Sequence, residues 1–405
     1  MRVLSLLSRS FAQREHAMVR RVEIGLLDEG SRLTRCVPTG CSVAMASGLI
    51  PQATYSESGP AIALPWRADR LLRDLSHLVP EALRSGDEGE YDIVHAWGQE
   101  CWDLAAEVAD ATGAALIVEV YSRSAVDQAR RFERRNASTF PEPSRCVFAA
   151  PSEAIGRTLD RAGLRWPVRV VPWGVFVPEE PRRARRPGEP VSLCIVGSGD
   201  SRGATIPVLE ALADLARRRE AMESAGAGTI PDLMVFIDER IARGEPELWR
   251  YAEKLGLLGM MSIIADLEGQ RGPTLQSDIV ALPEASGTQR SIVLDAMASG
   301  LAVLAAKDEL LADIEHESTG LIIEEPRARL WCDALERLLI EPEFALRLGD
   351  LARQHVATHR LASEQARVTL DLYRQVAGVF GNAGSTGGPA GPGNTGSSRP
   401  ISATP

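Results

Sequence analysis

Two glycine-containing loops in the second half of the chain carry residue types that can bind phosphate. The first loop, residues 197–203 (GSGDSRG), follows a predicted strand and precedes a predicted helix. Backbone N–H groups and the helix dipole bind anions at such a junction. The dinucleotide-binding spacing is absent, because Arg202 stands where the third glycine would be. Gly197, Ser198, Arg202 and Gly203 therefore indicate either an anion site or an ordinary tight turn.

The second loop, residues 284–300 (EASGTQRSIVLDAMASG), combines a polar turn with the start of a helix. We expect a strand to end at Leu282 and a helix to run from about Arg290 to Gly300. In that arrangement the amides of residues 287–291 point toward an anion. Asp295, further along the helix, can accept hydrogen bonds from two vicinal hydroxyls, although a solvated helix carboxylate is the alternative. The candidate residues in this loop are Ser286, Gly287, Thr288, Gln289, Arg290 and Ser291.

Several other chemistries are excluded by the residues that the chain lacks. The two lysines, Lys254 and Lys307, follow Glu253 and Ala306, so there is no phosphate-binding Gly-Lys motif. The six cysteines include no Cys-x-x-Cys pair and the six histidines are scattered, which argues against a zinc site. We therefore expect no metal and no other cofactor.

Length and composition predict a soluble, acidic protein of two domains. The chain has 405 residues, 44% of them hydrophobic, and a formal net charge of −10. This profile excludes a disordered chain, a disulfide scaffold and a general nucleic-acid binder. No run approaches the ~18 apolar residues of a membrane span, and the apolar stretch before Ser8 is too short for a signal peptide. We expect a cytoplasmic protein.

Short apolar runs alternate with amphipathic stretches along most of the chain, which predicts α/β units with parallel sheets. The segment 178–190 is rich in proline and arginine and is interpreted as a linker. It separates an N-terminal domain (1–177) from a C-terminal domain (191–380), and 381–405 is predicted to be a disordered tail because its Gly, Ser, Thr and Pro residues bury little apolar surface. Ligands of such sheets bind beyond the carboxyl ends of the strands, so two facing domains form a cleft.

Five segments, taken in order, resemble glycosyltransferase family 4. Residues 294–305 (LDAMASGLAVLA) resemble the family's LEAMA-small-G-x-P-V-x-A stretch, and residues 317–323 (ESTGLII) its G-x-TGLLV. More loosely, residues 92–98 (DIVHAWG), 152–162 and 170–175 (VVPWGV) resemble segments of its N-terminal half. The resemblance implies a GT-B fold, two Rossmann-like domains facing each other across a cleft. It also implies a retaining hexosyltransferase that uses a nucleotide-diphosphate sugar.

The chain departs from that family at positions that carry chemistry. Members have a Glu-x7-Glu pair, and Asp295 replaces the second acid whereas Gly287 stands in place of the first. Glu284 lies three residues earlier and can substitute only if the loop bulges. The paired arginine and lysine near the diphosphate correspond to Ser198 and Arg202, and a family histidine corresponds to Tyr121.

The resemblance implies the following roles. Arg202 and the two loops bind the diphosphate, Asp295 binds the ribose, and Glu284, His95 and Tyr121 are the candidate catalytic residues. Glu15 faces the acceptor, which is a glycan, a lipid-linked molecule or a small molecule; Arg14, Arg20 and Arg21 leave peripheral membrane contact open. A non-catalytic protein that keeps the fold as a nucleotide-binding or scaffold module is the alternative, because the first acid of the pair is missing.

Overall fold

A computed structural model describes residues 1–41, 49–56, 66–78, 91–179, 189–226 and 230–381. Most of the predicted linker and all but the first residue of the predicted tail lie outside the described residues. The predicted domain boundaries therefore stay predictions.

The first half of the chain forms a seven-stranded parallel sheet. Its strand order is β3-β2-β1-β4-β5-β6-β7, and every strand pairs in parallel with its neighbours. The strands are β1 (Arg2–Leu7), β2 (Arg32–Pro38), β3 (Gln52–Tyr55), β4 (Ile93–Trp97), β5 (Ala115–Glu119), β6 (Cys146–Ala150) and β7 (Val168–Val170). The central strands are buried on both faces, as expected for a parallel sheet covered by helices.

The second half forms a six-stranded parallel sheet in the order β10-β9-β8-β11-β12-β13. Its strands are β8 (Val191–Ile195), β9 (Leu233–Asp238), β10 (Met261–Ile264), β11 (Ile279–Leu282), β12 (Ala302–Ala306) and β13 (Leu321–Ile323). In both sheets the chain runs outward to one edge and then returns to the other side of the first strand. The predicted α/β class with two doubly wound, Rossmann-like sheets is thus confirmed.

Helices connect the strands and cover the sheets. Those of the first half are α1 (Arg9–Arg14), α2 (His16–Asp28), α3 (Trp66–Leu78), α4 (Trp102–Thr112), α5 (Arg123–Asn136) and α6 (Glu153–Arg161). Those of the second half are α7 (Ile206–Ala225), α8 (Glu239–Gly244), α9 (Leu248–Lys254), α10 (Leu267–Gln270), α11 (Gly272–Leu275), α12 (Ser291–Ala298), α13 (Ala328–Ile340), α14 (Pro342–His359) and α15 (Ala362–Gly381). The helices α1 and α2 are separated at Glu15.

The last helix crosses back onto the first half of the chain. Its approach is fixed by two backbone hydrogen bonds, from Val175 N to Arg360 O (2.7 Å) and from Ala362 N to Val175 O (3.0 Å). A Cβ atom added to Gly25 of α2 would lie only 2.4 Å from the Cβ atom of Ala366 on α15. The two helices therefore pack closely at a residue without a side chain.

We predict that Gly25→Ala lowers the free energy of unfolding by about 1–3 kcal/mol, because the added methyl forces α2 and α15 apart. Alanine favours a helix over glycine by ~1 kcal/mol, so propensity alone gives the opposite sign. Urea denaturation measures the difference. Gly378→Ala on α15 is the matched control, since nothing lies within 4 Å of its new methyl. A Gly25→Ala protein as stable as Gly378→Ala would contradict the close packing.

Candidate functional site

The carboxyl ends of the two sheets meet at a shared set of loops. The segment after β5 contacts the loop before α12: Gln289 N donates to Tyr121 O (2.8 Å) and Arg123 N donates to Gly287 O (2.9 Å). Ser122 and Thr288 form an antiparallel bridge between these contacts. This is the edge at which open α/β sheets bind ligands, so the predicted site loops of both halves lie together.

The first glycine loop is built around the carboxylate of Glu284. One oxygen accepts from Ser198 N (2.7 Å) and Ser198 Oγ (2.8 Å), and the other accepts from Gly199 N (2.8 Å). Gly199 has φ +77°, and a side chain there would begin 2.3 Å from Arg240 O. Only glycine fits this turn without strain. Glu284 itself is buried.

A second carboxylate, Glu245, lies on the other side of the same loop. It accepts backbone hydrogen bonds from Gly203 and Thr205. Burial raises the pKa of Glu245, against the effect of these bonds and of the nearby Arg202 charge, and the charge of Glu284 raises it further. Arg202 is exposed. Sequence reasoning did not identify Glu245, because a lone glutamate between α8 and α9 has no distinguishing pattern.

These contacts concern one expectation, which stays a prediction. The amides of Ser198, Gly199 and Gly203 were expected to be open to a diphosphate, but each already donates to a carboxylate of the chain. An acid at such a turn satisfies the same donors that a phosphate would. Arg202 is the loop's exposed cation, and its donor-binding role stays a prediction.

The second loop shows the same pattern. Gly287 N donates to Asp308 Oδ2 (2.7 Å), and Ser291 N lies 3.3 Å from Glu15 Oε2. Together with the bond from Gln289 N to Tyr121 O, these contacts occupy three of the amides predicted to face an anion. Glu15 therefore fills the N-terminus of α12. Arg290 precedes that helix and is buried, and Thr288 Oγ1 lies 3.5 Å from Ser286 O.

Asp295 lies between two arginines. Its Oδ1 accepts from Arg21 Nη1 of α2 at 2.7 Å, and its Oδ2 accepts from Arg271 Nη1. Arg271 also donates to Ser291 Oγ (2.8 Å), and it lies 3.6 Å from the Glu15 carboxylate. We call Arg21, Arg271, Glu15 and Asp295 the arginine–carboxylate cluster. All four are buried, and two positive charges balance two negative ones.

Arg271 has a strained backbone in this cluster. Its φ of +60° places a non-glycine residue in the left-handed region, which costs of order 1–3 kcal/mol. The conformation joins α10 to α11 and aims the guanidinium at Asp295, Ser291 and the carbonyl oxygen of Arg14 (3.0 Å). Sequence reasoning missed Arg271 because its partners are distant in the chain, although the Arg-Gly-Pro turn is a usable signal.

His95 lies inside the N-terminal half. Its Nδ1 is hydrogen-bonded to Tyr373 Oη of α15 (2.7 Å), its ring stacks on Trp97 at 3.8 Å, and its Nε2 is 3.6 Å from Glu119 Oε2. Burial lowers the pKa of His95 to about 3. The imidazole is therefore neutral and buried, and this placement favours packing of α15 over contact with a substrate. Its catalytic role stays a prediction.

Tyr121 packs between aromatic rings at the meeting edge. It contacts Phe11 edge to face at 5.0 Å and stacks on Trp173 at 6.1 Å between ring centroids. Burial raises the pKa of Tyr121 to about 12, so its phenol is neutral. The hydroxyl is hydrogen-bonded to Ser10, whose Oγ donates to the exposed Glu100 (2.7 Å). These groups lie on the side predicted to face the acceptor.

Within the described ranges, no group of three or more His, Cys, Asp or Glu side chains is arranged to hold a metal ion. In the same part of the chain, no helix has the length and apolarity needed to cross a membrane.

The fold is that of the GT-B glycosyltransferases. Sucrose-phosphate synthase from Thermosynechococcus elongatus superimposes with a TM-score of 0.71 at 15% identity, covering 94% of this chain and 100% of that one. HepE from Anabaena, solved with UDP and glucose, gives a TM-score of 0.65 at 13% identity, covering 94% and 99%. At these identities the likeness establishes the fold alone.

Relatives in sequence carry the name D-inositol 3-phosphate glycosyltransferase. The protein from Corynebacterium glutamicum (strain R) is 32% identical over 94 residues, which are 23% of this chain and 22% of that one. The protein from Paenarthrobacter aurescens (strain TC1) is 25% identical over 353 residues, 78% and 81% of the two chains. The matched segment thus spans about a quarter of the length of the first relatives that the chain matches. No protein-family profile matches it. The resemblance to GT-B glycosyltransferases is confirmed.

We predict that stability falls between pH 6.5 and 8 through Glu119. Burial raises the pKa of Glu119 from 4.5 to about 8, despite the hydrogen bond from Trp173 Nε1 (2.7 Å). The folded state therefore holds a proton that the unfolded state releases, and this stabilisation, complete below pH 4.5, is lost as the pH rises through about 8. His95 acts oppositely, but only between its lowered pKa of about 3 and its ordinary 6.5.

Urea denaturation at pH 6.5, 7.25 and 8 checks this. Glu119→Gln, which keeps an acceptor for Trp173, is expected to flatten the pH dependence, whereas Glu309→Gln, which removes an exposed carboxylate, keeps it. Equal slopes for all three proteins would show that Glu119 does not hold the proton.

We also predict that Asp295→Ala lowers the free energy of unfolding by about 3–5 kcal/mol. The change leaves Arg21 and Arg271 buried without the carboxylate that they share. Removing one partner of a buried ion pair is strongly destabilising because it leaves an uncompensated buried charge. Asp103→Ala removes an exposed partner of Arg135 and is expected to cost ~1 kcal/mol or less. Similar losses for the two variants, measured by urea denaturation, would mean that the cluster is not a stabilising junction.

Proposed function

We propose that the protein is a retaining glycosyltransferase that moves a hexosyl group from a nucleotide-diphosphate sugar to an acceptor at its N-terminal half. The observation that carries the proposal is similarity over 353 residues to a protein named as a glycosyltransferase, on a fold of the GT-B type. HepE structures with UDP and with UDP-glucose support the choice of donor. The acceptor is a glycan, a lipid-linked molecule or a small molecule.

The donor is held on the C-terminal half in this proposal. Arg202 is exposed beside the first glycine loop and can bind a diphosphate bidentately. The departing diphosphate and the cationic sugar both need stabilisation in the transition state. Asp295 binds the ribose only if it exchanges at least one of its arginine contacts for hydroxyl groups.

Glu284 competes with the diphosphate for the backbone donors of the first glycine loop. Its carboxylate accepts from Ser198 and Gly199, and two anions cannot share those donors. Donor binding at the loop therefore requires Glu284 to turn away, toward the sugar end of the donor. That movement would bring it to the position expected of the missing first acid.

A second candidate function is a GT-B scaffold without transferase activity. Three observations favour it: Glu284 fills the first loop, Glu15 fills the start of α12, and Asp295 is paired with two arginines. In each case a group that a transferase would use to bind its sugar donor is instead bonded to another residue of the same chain.

The two functions are separated by product formation with a panel of nucleotide sugars. We expect hydrolysis or transfer that disappears in Arg202→Gln, with Arg219→Gln, which removes a half-buried arginine on α7, as the charge-matched control. No turnover with any donor, together with correct folding, would support the scaffold. Turnover unchanged in Arg202→Gln would remove Arg202 from the proposed site.

We predict that Glu284→Gln strengthens UDP binding about tenfold, equivalent to ~1.4 kcal/mol, because it removes the competing negative charge from the loop. If Glu284 also acts on the sugar, the same variant lowers kcat while lowering KM. Calorimetric titration and steady-state kinetics measure the two effects. Glu324→Gln, an exposed carboxylate paired with Lys307, is the control. UDP affinity that is unchanged or weaker in Glu284→Gln would contradict the competition.

A further inference from the structure

A pocket of about 570 Å³ lies on the N-terminal half, between the start of α4 and one face of α5. It is of the size that holds a small metabolite. It is lined by Gln99, Trp102, Asp103, Gln128, Arg131, Arg134 and Arg135. None of these residues belongs to the two glycine loops or to the arginine–carboxylate cluster.

The charge of the pocket is concentrated on two arginines. Arg135 donates to Asp103 at 2.9 Å, so those two charges offset each other. Arg131 and Arg134 are exposed, and neither has an acidic partner in the part of the chain that the structure describes. The pocket thus carries two uncompensated positive charges on a chain whose net charge is −10.

Arg131 and Arg134 are three residues apart on α5 and therefore lie on one face of the helix. The opposite face holds the helix in place: Phe132 packs on Trp102 at 5.6 Å and on Trp166 at 5.7 Å between ring centroids. Because this packing fixes α5 against the start of α4, the two guanidinium groups are presented from a rigid wall.

Two buried polar atoms at the wall are unsatisfied. Trp102 is 97% buried and lines the pocket, and its Nε1 has no hydrogen-bond partner among the described residues. The same holds for Gln99 Oε1. A buried polar group without a partner costs about 1–3 kcal/mol. Both atoms are closed to water in this structure, so a ligand in the pocket is recognised by the exposed guanidinium groups.

We propose that this pocket binds a phosphomonoester. At pH 7–8 such a group is close to a dianion that offers three acceptor oxygens, which matches two guanidinium forks of fixed geometry. A carboxylate would neutralise only one of them. The amides of Gln99 and Gln128 suit hydroxyl groups on the remainder of the ligand. The proposal does not depend on transferase activity.

Calorimetric titration of the full chain with glucose 1-phosphate tests the site, with saturating UDP present to occupy the donor site. We expect binding that weakens at least tenfold in Arg131→Gln/Arg134→Gln. Arg157→Gln/Arg161→Gln removes two exposed arginines from α6 and should change the affinity less than twofold. Glucose should not bind. UDP affinity, titrated separately, should be equal in the wild type and in the Arg131/Arg134 variant, which keeps this site distinct from the donor site.

A lipid headgroup carries the same group, so a second arm uses vesicles of phosphatidylcholine with phosphatidate. If the protein floats with phosphatidate vesicles only when Arg131 and Arg134 are present, and does not float with phosphatidylglycerol vesicles, the ligand is a lipid phosphomonoester. If the protein binds glucose 1-phosphate but not the vesicles, the ligand is a soluble phosphomonoester. The proposal is overturned if neither ligand binds, or if both arginine pairs cause the same loss. Thermal unfolding confirms that each variant is folded.

Discussion

The buried junction of Asp295 with Arg21 and Arg271 connects the two halves of the molecule. Arg21 comes from α2 of the first half, whereas Asp295 and Arg271 come from the second. Burying these charges is tolerable only because each has its partner. Ser291 and Glu15 extend the junction to the start of α12, so the position of that helix depends on a balance of charges between the two halves. The strained backbone of Arg271 is maintained for the same contacts.

A consequence is that the chain supplies its own anions to the loops where a donor diphosphate would bind. Glu284 and Glu245 satisfy the first loop, and Glu15 and Asp308 satisfy amides of the second. In the proposed function, a diphosphate enters these loops by exchange with the carboxylates, so donor affinity is a difference between two sets of contacts rather than a sum of new ones. In the proposed transferase that difference favours the diphosphate.

The pattern of strands and helices was largely predictable because it depends on local periodicity. Strands such as β5 and β11 are continuous apolar runs, and α12 was expected from about Arg290. The basic helix α5 was not predicted, since its apolar residues Ala125, Ala129 and Phe132 are few among its arginines. Of the candidate site, the two glycine loops and the sheet edge that they share were predictable, whereas Glu245 and Arg271 were not identified. The contacts of Glu284, Glu15 and His95 were not, because each joins residues more than 80 positions apart in the chain.

The sequence by itself determined the α/β class, the two parallel sheets and the glycine loops, since these follow from composition and short-range pattern. Its motif segments also carried the resemblance to GT-B glycosyltransferases. The tertiary structure alone decided which hydrogen-bond donors pair with which hydrogen-bond acceptors. It directed Glu284 inward to Ser198, placed His95 under α15, and left Arg131 and Arg134 without acidic partners among the described residues. The physical reason is that hydrogen bonds and ion pairs act over a few ångströms, and such distances between remote residues are set only when the sheets and helices have packed.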